Sequence, residues 1–117
     1  MPVTKEIASE QLQMYFAQFT RRFLTNGYQK AADVEVLEPE MGSQLPVEGG
    51  RLLGISFDPR TRALEIEFDF GDHRIVDFAD VWTIEEPDGF LSYIAVQRSD
   101  GSRELVTIKR VGLRRWP

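Results

Sequence analysis

The sequence predicts an α+β domain in which one N-terminal helix packs on a strongly curved antiparallel meander of about seven strands. The prediction rests on a stripe of large apolar residues at helical spacing near the N-terminus, alternating apolar and acidic residues over 64–70, and turn residues between successive short strands. No helical pattern separates these strands, so neighbours along the chain are expected to pair antiparallel. The sheet must curve to cover the helix and protect its edges, which indicates a half-barrel or a small open barrel.

The helix is predicted over about residues 10–25, with Ser9 as its N-cap and Asn26-Gly27 as its stop. Burying each large side chain of its stripe contributes about 1.5–3 kcal/mol before the entropy of ordering it. The helix therefore needs a sheet on which to lie. The stripe consists of Leu12, Tyr15, Phe16, Phe19 and Phe23.

The antiparallel sheet is predicted over about residues 33–110. A short strand at 44–48 contains Pro46, which cannot donate to a ladder, so this strand is expected at an edge or a bulge. Gly49-Gly50 is expected to turn the chain before the next strand, at 51–58.

The hairpin that follows the alternating strand allows two registers. A two-residue turn at 71–72 would pair Asp69 with Arg74 across the strands, as an ion pair worth a few tenths of a kcal/mol. A three-residue loop would place Phe68 opposite Val76 and would match apolar side chains better. The sequence leaves both registers open.

The composition restricts the classes of function. The chain has 117 residues and no cysteine, so residues 1–117 fit a single domain without disulfides, thiolate catalysis or zinc sites built on sulfur. A formal net charge of −5 opposes general binding to polyanions. No signal peptide and no membrane-spanning apolar stretch is recognised, so a cytoplasmic protein without a membrane partner is expected.

The only histidine, His73, lies among carboxylates and is the centre of one candidate site. Asp69, Asp72 and His73 at the hairpin tip could hold a hard or borderline divalent ion in a small metal-binding protein or a metal-dependent hydrolase. The wet face of a half-buried hairpin explains the same residues, and we favour this interpretation. No other catalytic residues and no cofactor-binding loop are recognised, since the serines lack a nucleophile elbow and the glycines match no phosphate loop.

The leading functional hypothesis is a non-catalytic binding or protein-interaction module. It rests on the absence of an assembled catalytic set and on edge strands such as 44–48, which could pair with a protein partner or a second copy of the chain. Aromatic side chains beyond the helix stripe are candidates to line a concave face that binds a ligand or a peptide. These are Trp82, Phe90 and Tyr93.

A distant third hypothesis concerns the basic C-terminal tail, residues 109–117. Basic side chains beside Trp116 could contact single-stranded nucleic acid. We prefer a tail that docks on the body of the protein through Leu113 and Trp116, because the acidic chain has no recognised nucleic-acid motif. The basic residues of the tail are Lys109, Arg110, Arg114 and Arg115.

Several segments together resemble a small bacterial family of proteins with a domain of unknown function. The resemblance is carried by VEVLEPEMGSQ (34–44), LLGISFDPRTRALEIEF (52–68), GDHRIV (71–76), VWTIEE (81–86) and DGFLSYIAVQRSDGSRELVTIKR (88–110). It implies a bacterial, cytoplasmic, single-domain protein, and it implies no activity or cofactor. His73 matches the family's pattern, without a role attached to it.

Overall fold

The computed structural model describes residues 1–25 and 27–111. In this part of the chain, one helical segment accompanies eight strands of a single antiparallel sheet, so the predicted α+β class is confirmed. The helical segment comprises a 3₁₀ turn (Ser9–Gln11), helix α1 (Leu12–Phe19) and a π-helical turn (Thr20–Leu24). The strands are β1 (Val3–Glu6), β2 (Lys30–Glu38), β3 (Gly42–Asp58), β4 (Ala63–Phe68), β5 (Gly71–Ile75), β6 (Phe78–Glu85), β7 (Leu91–Arg98) and β8 (Arg103–Arg110).

The order of the strands forces the sheet to curve. The order is β1-β6-β7-β8-β2-β3-β4-β5, so β5 is an edge strand and β6 lies next to the opposite edge. Only Val76 and Asp77 join β5 to β6 in the chain, so Ile75 and Phe78 are three residue steps apart and at most about 11 Å from each other. The two ends of the sheet must therefore approach each other, although no ladder joins β5 to β6 among the described strands. The result is an open, strongly curved sheet and not a closed barrel.

Strand β3 is a single element of 17 residues where two strands and a turn were predicted. Residues 42–51 pair with β2, and residues 52–58 pair with β4. The prediction of a turn at Gly49-Gly50 is wrong because the chain continues as a strand there. A Cβ atom at Gly50 would lie 2.8 Å from Phe68 Cδ1, so glycine allows the Phe68 ring to cover the backbone.

The segment around Pro46 was predicted at an edge or a bulge of the sheet, and this part of β3 does have a paired neighbour on one side alone among the described strands. Residues 42–50 pair with β2 on one side, and the ladder to β4 begins only at Leu52. Register shifts near Val34 distort the pairing with β2, as a bulge does.

The helical segment lies on the inner face of the curved sheet, as predicted. Leu12, Phe16 and Phe19 are buried in the core, while Tyr15 and Phe23 pack partly buried against it. The inner face of the sheet supplies much of the remaining core, including Val34, Ile55, Ile66, Ile94 and Val106.

The two ends of the helical segment differ from the ends of a regular capped helix. The Thr20 hydroxyl donates to the carbonyl of Ile55 (2.8 Å) and accepts from its N–H (2.9 Å), which ties the π-helical turn to β3. Ser9 is not the N-cap, because it lies within the 3₁₀ turn and its hydroxyl accepts a hydrogen bond from Arg62 Nη1 at 3.0 Å. None of the helices in residues 1–25 and 27–111 has the length and apolar character needed to cross a bilayer.

The β4–β5 hairpin uses neither of the two registers considered from the sequence. Phe68 pairs with Gly71, so the turn consists of Asp69 and Phe70, and Glu65 takes the place of Asp69 opposite Arg74. This register places Leu64 opposite Ile75, both buried, and so keeps the inner face of the hairpin apolar. Phe70 leaves the core and stacks on Phe68, with the ring centroids 5.1 Å apart.

Candidate functional site

The structure does not bring the three predicted metal ligands together. Asp69 lies in the turn, whereas Asp72 and His73 are successive residues of β5 and therefore face opposite sides of the sheet. His73 is turned inward, where its Nε2 lies 2.6 Å from Oε1 of Glu104. Across residues 1–25 and 27–111, no three histidine, aspartate or glutamate side chains are grouped so that they could hold a metal ion.

The partner of His73 is a buried carboxylate that sequence reasoning missed. The side chain of Glu104 is only 4% exposed, and its second oxygen, Oε2, lies 3.5 Å from Nη1 of Arg98. A buried carboxylate requires such partners, because removing its charge from water costs several kcal/mol that the partners must offset. The sequence pattern that could have revealed it is the alternation of RELVTIKR (103–110), in which Glu104 shares the inner face of β8 with Val106 and Ile108.

This cluster of His73, Glu104 and Arg98 lies where the chain crosses from β5 to β6. Arg98 Nε donates to the carbonyl of Val76 at 3.2 Å. The next residue, Asp77, has a positive φ of 54° and accepts a hydrogen bond from the Ser99 N–H at 2.7 Å. The imidazole Nε2 and both carboxylate oxygens are used in contacts within the cluster. These contacts hold the two ends of the sheet together, which is a structural role.

A second group of residues lies on the face of the sheet turned away from α1. Trp82 is 42% exposed and pairs with Ala95, and Tyr93 pairs with Ile84 in the next position of the same two strands. Since Ala95 is small, the larger side chains around it enclose a depression of about 260 Å³. We call the surface formed by Trp82, Ile84, Tyr93, Ala95 and Leu105 the outer aromatic face.

The prediction that Trp82, Phe90 and Tyr93 line one concave face is wrong, because only Phe90 lies on the concave inner face. Trp82 and Tyr93 share the outer aromatic face, whereas Phe90 is buried on the inner face, with ring centroids 5.8 Å from Phe19 and 5.4 Å from Phe23. Phe90 lies just before β7, which begins at Leu91, so the period of that strand does not set the side on which its ring packs.

Acidic residues end the central row of the outer aromatic face on both sides. Residues paired across antiparallel strands share a face, so the ladders define a row that crosses five strands. Glu6 stands at one end, on β1, and Glu35 at the other, on β2, where it accepts a hydrogen bond from the Ser43 hydroxyl. The row reads Glu6, Trp82, Ala95, Leu105 and Glu35.

The described part of the basic C-terminal tail is occupied by ion pairs. Lys109 Nζ lies 3.8 Å from a carboxylate oxygen of Asp33, and Arg110 Nη2 lies 2.5 Å from one of Asp88. Residues 112–117, including Trp116, lie outside the described residues. The docking of the tail and its contact with nucleic acid both stay predictions.

Comparison with known proteins places the chain in a family. The profile of a family of unknown function, DUF5335, matches residues 3–112. A protein of Aquifex aeolicus (strain VF5) that carries the name "Uncharacterized protein" is 35% identical over 107 residues, which cover 91% of this chain and 92% of that protein. No solved structure is significantly similar to the chain. The resemblance found in the sequence segments is thereby confirmed, and the chain belongs to DUF5335, a family of unknown function.

Proposed function

We propose that this protein is a non-catalytic protein-interaction module whose docking surface is the outer aromatic face. The observation that supports the proposal is the depression over Ala95, which has Trp82 and Tyr93 among its lining residues. Exposed tryptophan and tyrosine side chains provide large contact areas at little cost in conformational entropy, and they dominate the binding energy of many interfaces.

The occupant that fits this surface best is an extended peptide segment that contains proline and basic residues. Proline rings in the polyproline II conformation dock against aromatic side chains, and their backbone is already ordered before binding. The carboxylates of Glu6 and Glu35 lie at the two ends of the row, so they favour arginine or lysine in the parts of the peptide that extend past the depression, while Arg103 lines the depression itself.

The experiment is a fluorescence titration in a W116F background, in which Trp82 is the only tryptophan. The probe is a synthetic peptide of alternating arginine and proline, and the matched probe carries glutamate in place of arginine. We expect a saturable change of Trp82 emission with the basic peptide alone. Tyr93→Ala should weaken binding by more than about fivefold, the loss that corresponds to removing a contact worth about 1 kcal/mol.

The control is Phe70→Ala, which removes an aromatic ring that is 65% exposed but lies on a different hairpin. This variant should bind the basic peptide as the parent does. Equal losses from Tyr93→Ala and Phe70→Ala, or no saturable signal at all, would contradict the proposal. A shift to a dimer in sedimentation, abolished by Tyr93→Ala, would assign the face to a second copy of the chain instead.

A bacterial cytoplasm is part of the same proposal. The chain has no cysteine, which suits a reducing compartment, and its relative comes from Aquifex aeolicus. Fractionation of cells that express the tagged protein checks the compartment directly.

A further inference from the structure

A cleft on the inner side of the sheet is separate from the outer aromatic face. It lies between the helical segment and the ends of β6 and β7, and its volume is about 370 Å³. Binding clefts for small molecules fall in the range of about 300–1,000 Å³. Its apolar lining consists of Phe19, Phe23 and Leu91, and its polar lining of Tyr15, Gln18, Arg21, Arg22 and Glu85.

The π-helical turn places two adjacent arginines at this cleft. Arg21 and Arg22 both lie in the turn Thr20–Leu24, and both line the cavity. Turns of this kind are rare and recur at functional sites. The ring of Phe23, from the same turn, supplies the neighbouring apolar surface.

Two carboxylates at and beside the cleft, those of Glu85 and Asp88, are engaged by other groups. Oε2 of Glu85 accepts a hydrogen bond from the Tyr15 hydroxyl at 2.6 Å, and Oε1 lies 3.0 Å from Nζ of Lys5. Asp88 is paired with Arg110, whose guanidinium also covers the ring of Phe90 at 4.2 Å. The carboxylates of Glu85 and Asp88 are thus compensated by groups other than Arg21 and Arg22, while Glu86 lines the adjoining cavity that Arg22 also lines.

The Arg22 guanidinium is held in position without an acidic partner. It lies over the ring of Phe23, 4.8 Å from the centroid, and against Gly89, where an added Cβ would stand 2.8 Å from Nη1. Within the described residues, neither Arg21 nor Arg22 forms an ion pair with a carboxylate. Arg21 and Arg22 are exposed, and a guanidinium without a carboxylate partner is suited to bidentate recognition of a carboxylate or a phosphate.

We propose that this cleft binds a small organic anion, whose carboxylate or phosphate is held by Arg21 and Arg22 while its apolar group packs on Phe23 and Leu91. A second cavity, of about 360 Å³, shares Arg22, Glu85 and Gly89 with the first and leaves room for a polar substituent of the ligand. The site is independent of the peptide surface, because the two lie on opposite faces of the sheet.

Isothermal titration calorimetry with four probes tests the proposal. Benzoate and phenyl phosphate combine an anion with a ring, benzyl alcohol keeps the ring without the charge, and inorganic phosphate keeps the charge without the ring. We expect saturable binding of at least one of the first two at millimolar concentration, and weaker binding of the last two. The stronger of the first two identifies the ligand as a carboxylate or a phosphate monoester.

Variants assign the binding to the arginines. Arg22→Gln and Arg21→Gln should each weaken the preferred probe by about tenfold or more, which corresponds to the loss of about 1.4 kcal/mol for a charge-assisted hydrogen bond. Arg60→Gln is the matched control, because it removes the same charge from an exposed turn. Tyr93→Ala on the outer face should leave the affinity unchanged, so failure here is distinguishable from failure of the peptide proposal.

Two results would overturn the proposal. One is that neither ring-bearing anion binds the parent protein at millimolar concentration. The other is that Arg22→Gln and Arg60→Gln bind the preferred probe equally well. Unchanged melting temperatures of the arginine variants in the absence of a probe show that a lost signal comes from the site and not from the fold.

Discussion

At the scale of single residues, the carboxylate of Glu104 is buried and depends on its two partners for stability. Its two oxygens are taken by His73 and Arg98, whose side chains are 21% and 25% exposed. Removing one partner of a buried charge costs more than the interaction itself contributes, because the remaining charge stays desolvated. The neighbours of Glu104 in the ladders, Val36 and Val96, are apolar.

We therefore expect His73→Ala to lower the free energy of unfolding by about 1–3 kcal/mol. Glu104→Leu in the same chain should recover part of this loss, because an apolar residue suits its surroundings. Urea unfolding of the two single variants and the double variant measures the coupling between the residues. Arg74→Ala, next to His73 on the other face of β5, is the control and should leave the free energy of unfolding almost unchanged. If the effects of His73→Ala and Glu104→Leu simply add in the double variant, the two residues are not coupled.

The pair Tyr15 and Glu85 makes stability depend on pH at both extremes. Burial alone would raise the pKa of Glu85, but the hydrogen bonds from Tyr15 and Lys5 outweigh it and hold the pKa below its ordinary value of 4.5. Burial, and then the hydrogen bond to Glu85, raises the pKa of Tyr15 above its ordinary value of 10.0. The folded state thus keeps Glu85 charged at acidic pH and Tyr15 neutral at alkaline pH.

The signs of the two effects follow from these directions. The contribution of Glu85 is present above pH 4.5, its ordinary pKa, and is lost as the pH falls through the lower pKa of the folded state. The contribution of Tyr15 is present below pH 10.0 and is lost as the pH rises above that value. We expect Tyr15→Phe to flatten the pH profile of the urea midpoint at both ends. A profile of unchanged shape would show that the hydroxyl contributes nothing.

At the scale of elements, the helical segment was predictable and β3 was not. The apolar stripe of the helix depends on one local period, which the sequence displays directly. In β3, the pair Gly49-Gly50 is equally typical of a turn and of a strand that another side chain approaches closely, so the sequence does not distinguish the two. The ring that approaches Gly50 belongs to Phe68, which is distant in sequence, so the distinction requires the tertiary structure.

The close approach makes Gly50 a sensitive position. An alanine there places a methyl group 2.8 Å from Phe68 Cδ1, and we expect Gly50→Ala to destabilise the protein by about 1–3 kcal/mol, the usual cost of overpacking. Gly54→Ala is the matched control in the same strand, since its nearest neighbour would be Glu67 Oε1 at 3.4 Å. Thermal unfolding of both variants measures the difference, and equal midpoints would refute the role given to Phe68.

The site residues show the same limit of sequence reasoning. The period of β8 places Glu104 on the inner face, so a buried acid could have been predicted there. Its contact with His73 could not, because the two residues belong to strands that are neither adjacent in sequence nor paired in the sheet. In the same way, Trp82 and Tyr93 could be assigned to one face by period, but which face surrounds the helix depends on the curvature of the whole sheet.

At the scale of the whole molecule, the curved sheet has a seam between β5 and β6. Elsewhere, adjacent strands are joined by rows of backbone hydrogen bonds. Across the seam, side chains of the His73, Glu104 and Arg98 cluster and the hydrogen bonds to the carbonyls of Val76 and Asp77 hold the two ends together. No row of backbone hydrogen bonds has to separate when the seam between these described strands opens.

Local opening of the fold is therefore expected at the seam between β5 and β6. Displacing β5 breaks one ladder, to β4, together with the contacts across the seam, whereas displacing β7 or β8 breaks two ladders. We therefore expect β5 to open at a lower free energy than β7 and β8, since partial unfolding begins where fewer contacts are lost. We expect backbone amides of β5 to exchange with deuterium faster than those of β7 and β8, and His73→Ala to accelerate exchange in β5 alone. Uniform acceleration across all strands would mean that the molecule opens only as a whole. If β5 does open alone, the segment around His73 is the first part of the fold that becomes accessible to proteases and chaperones.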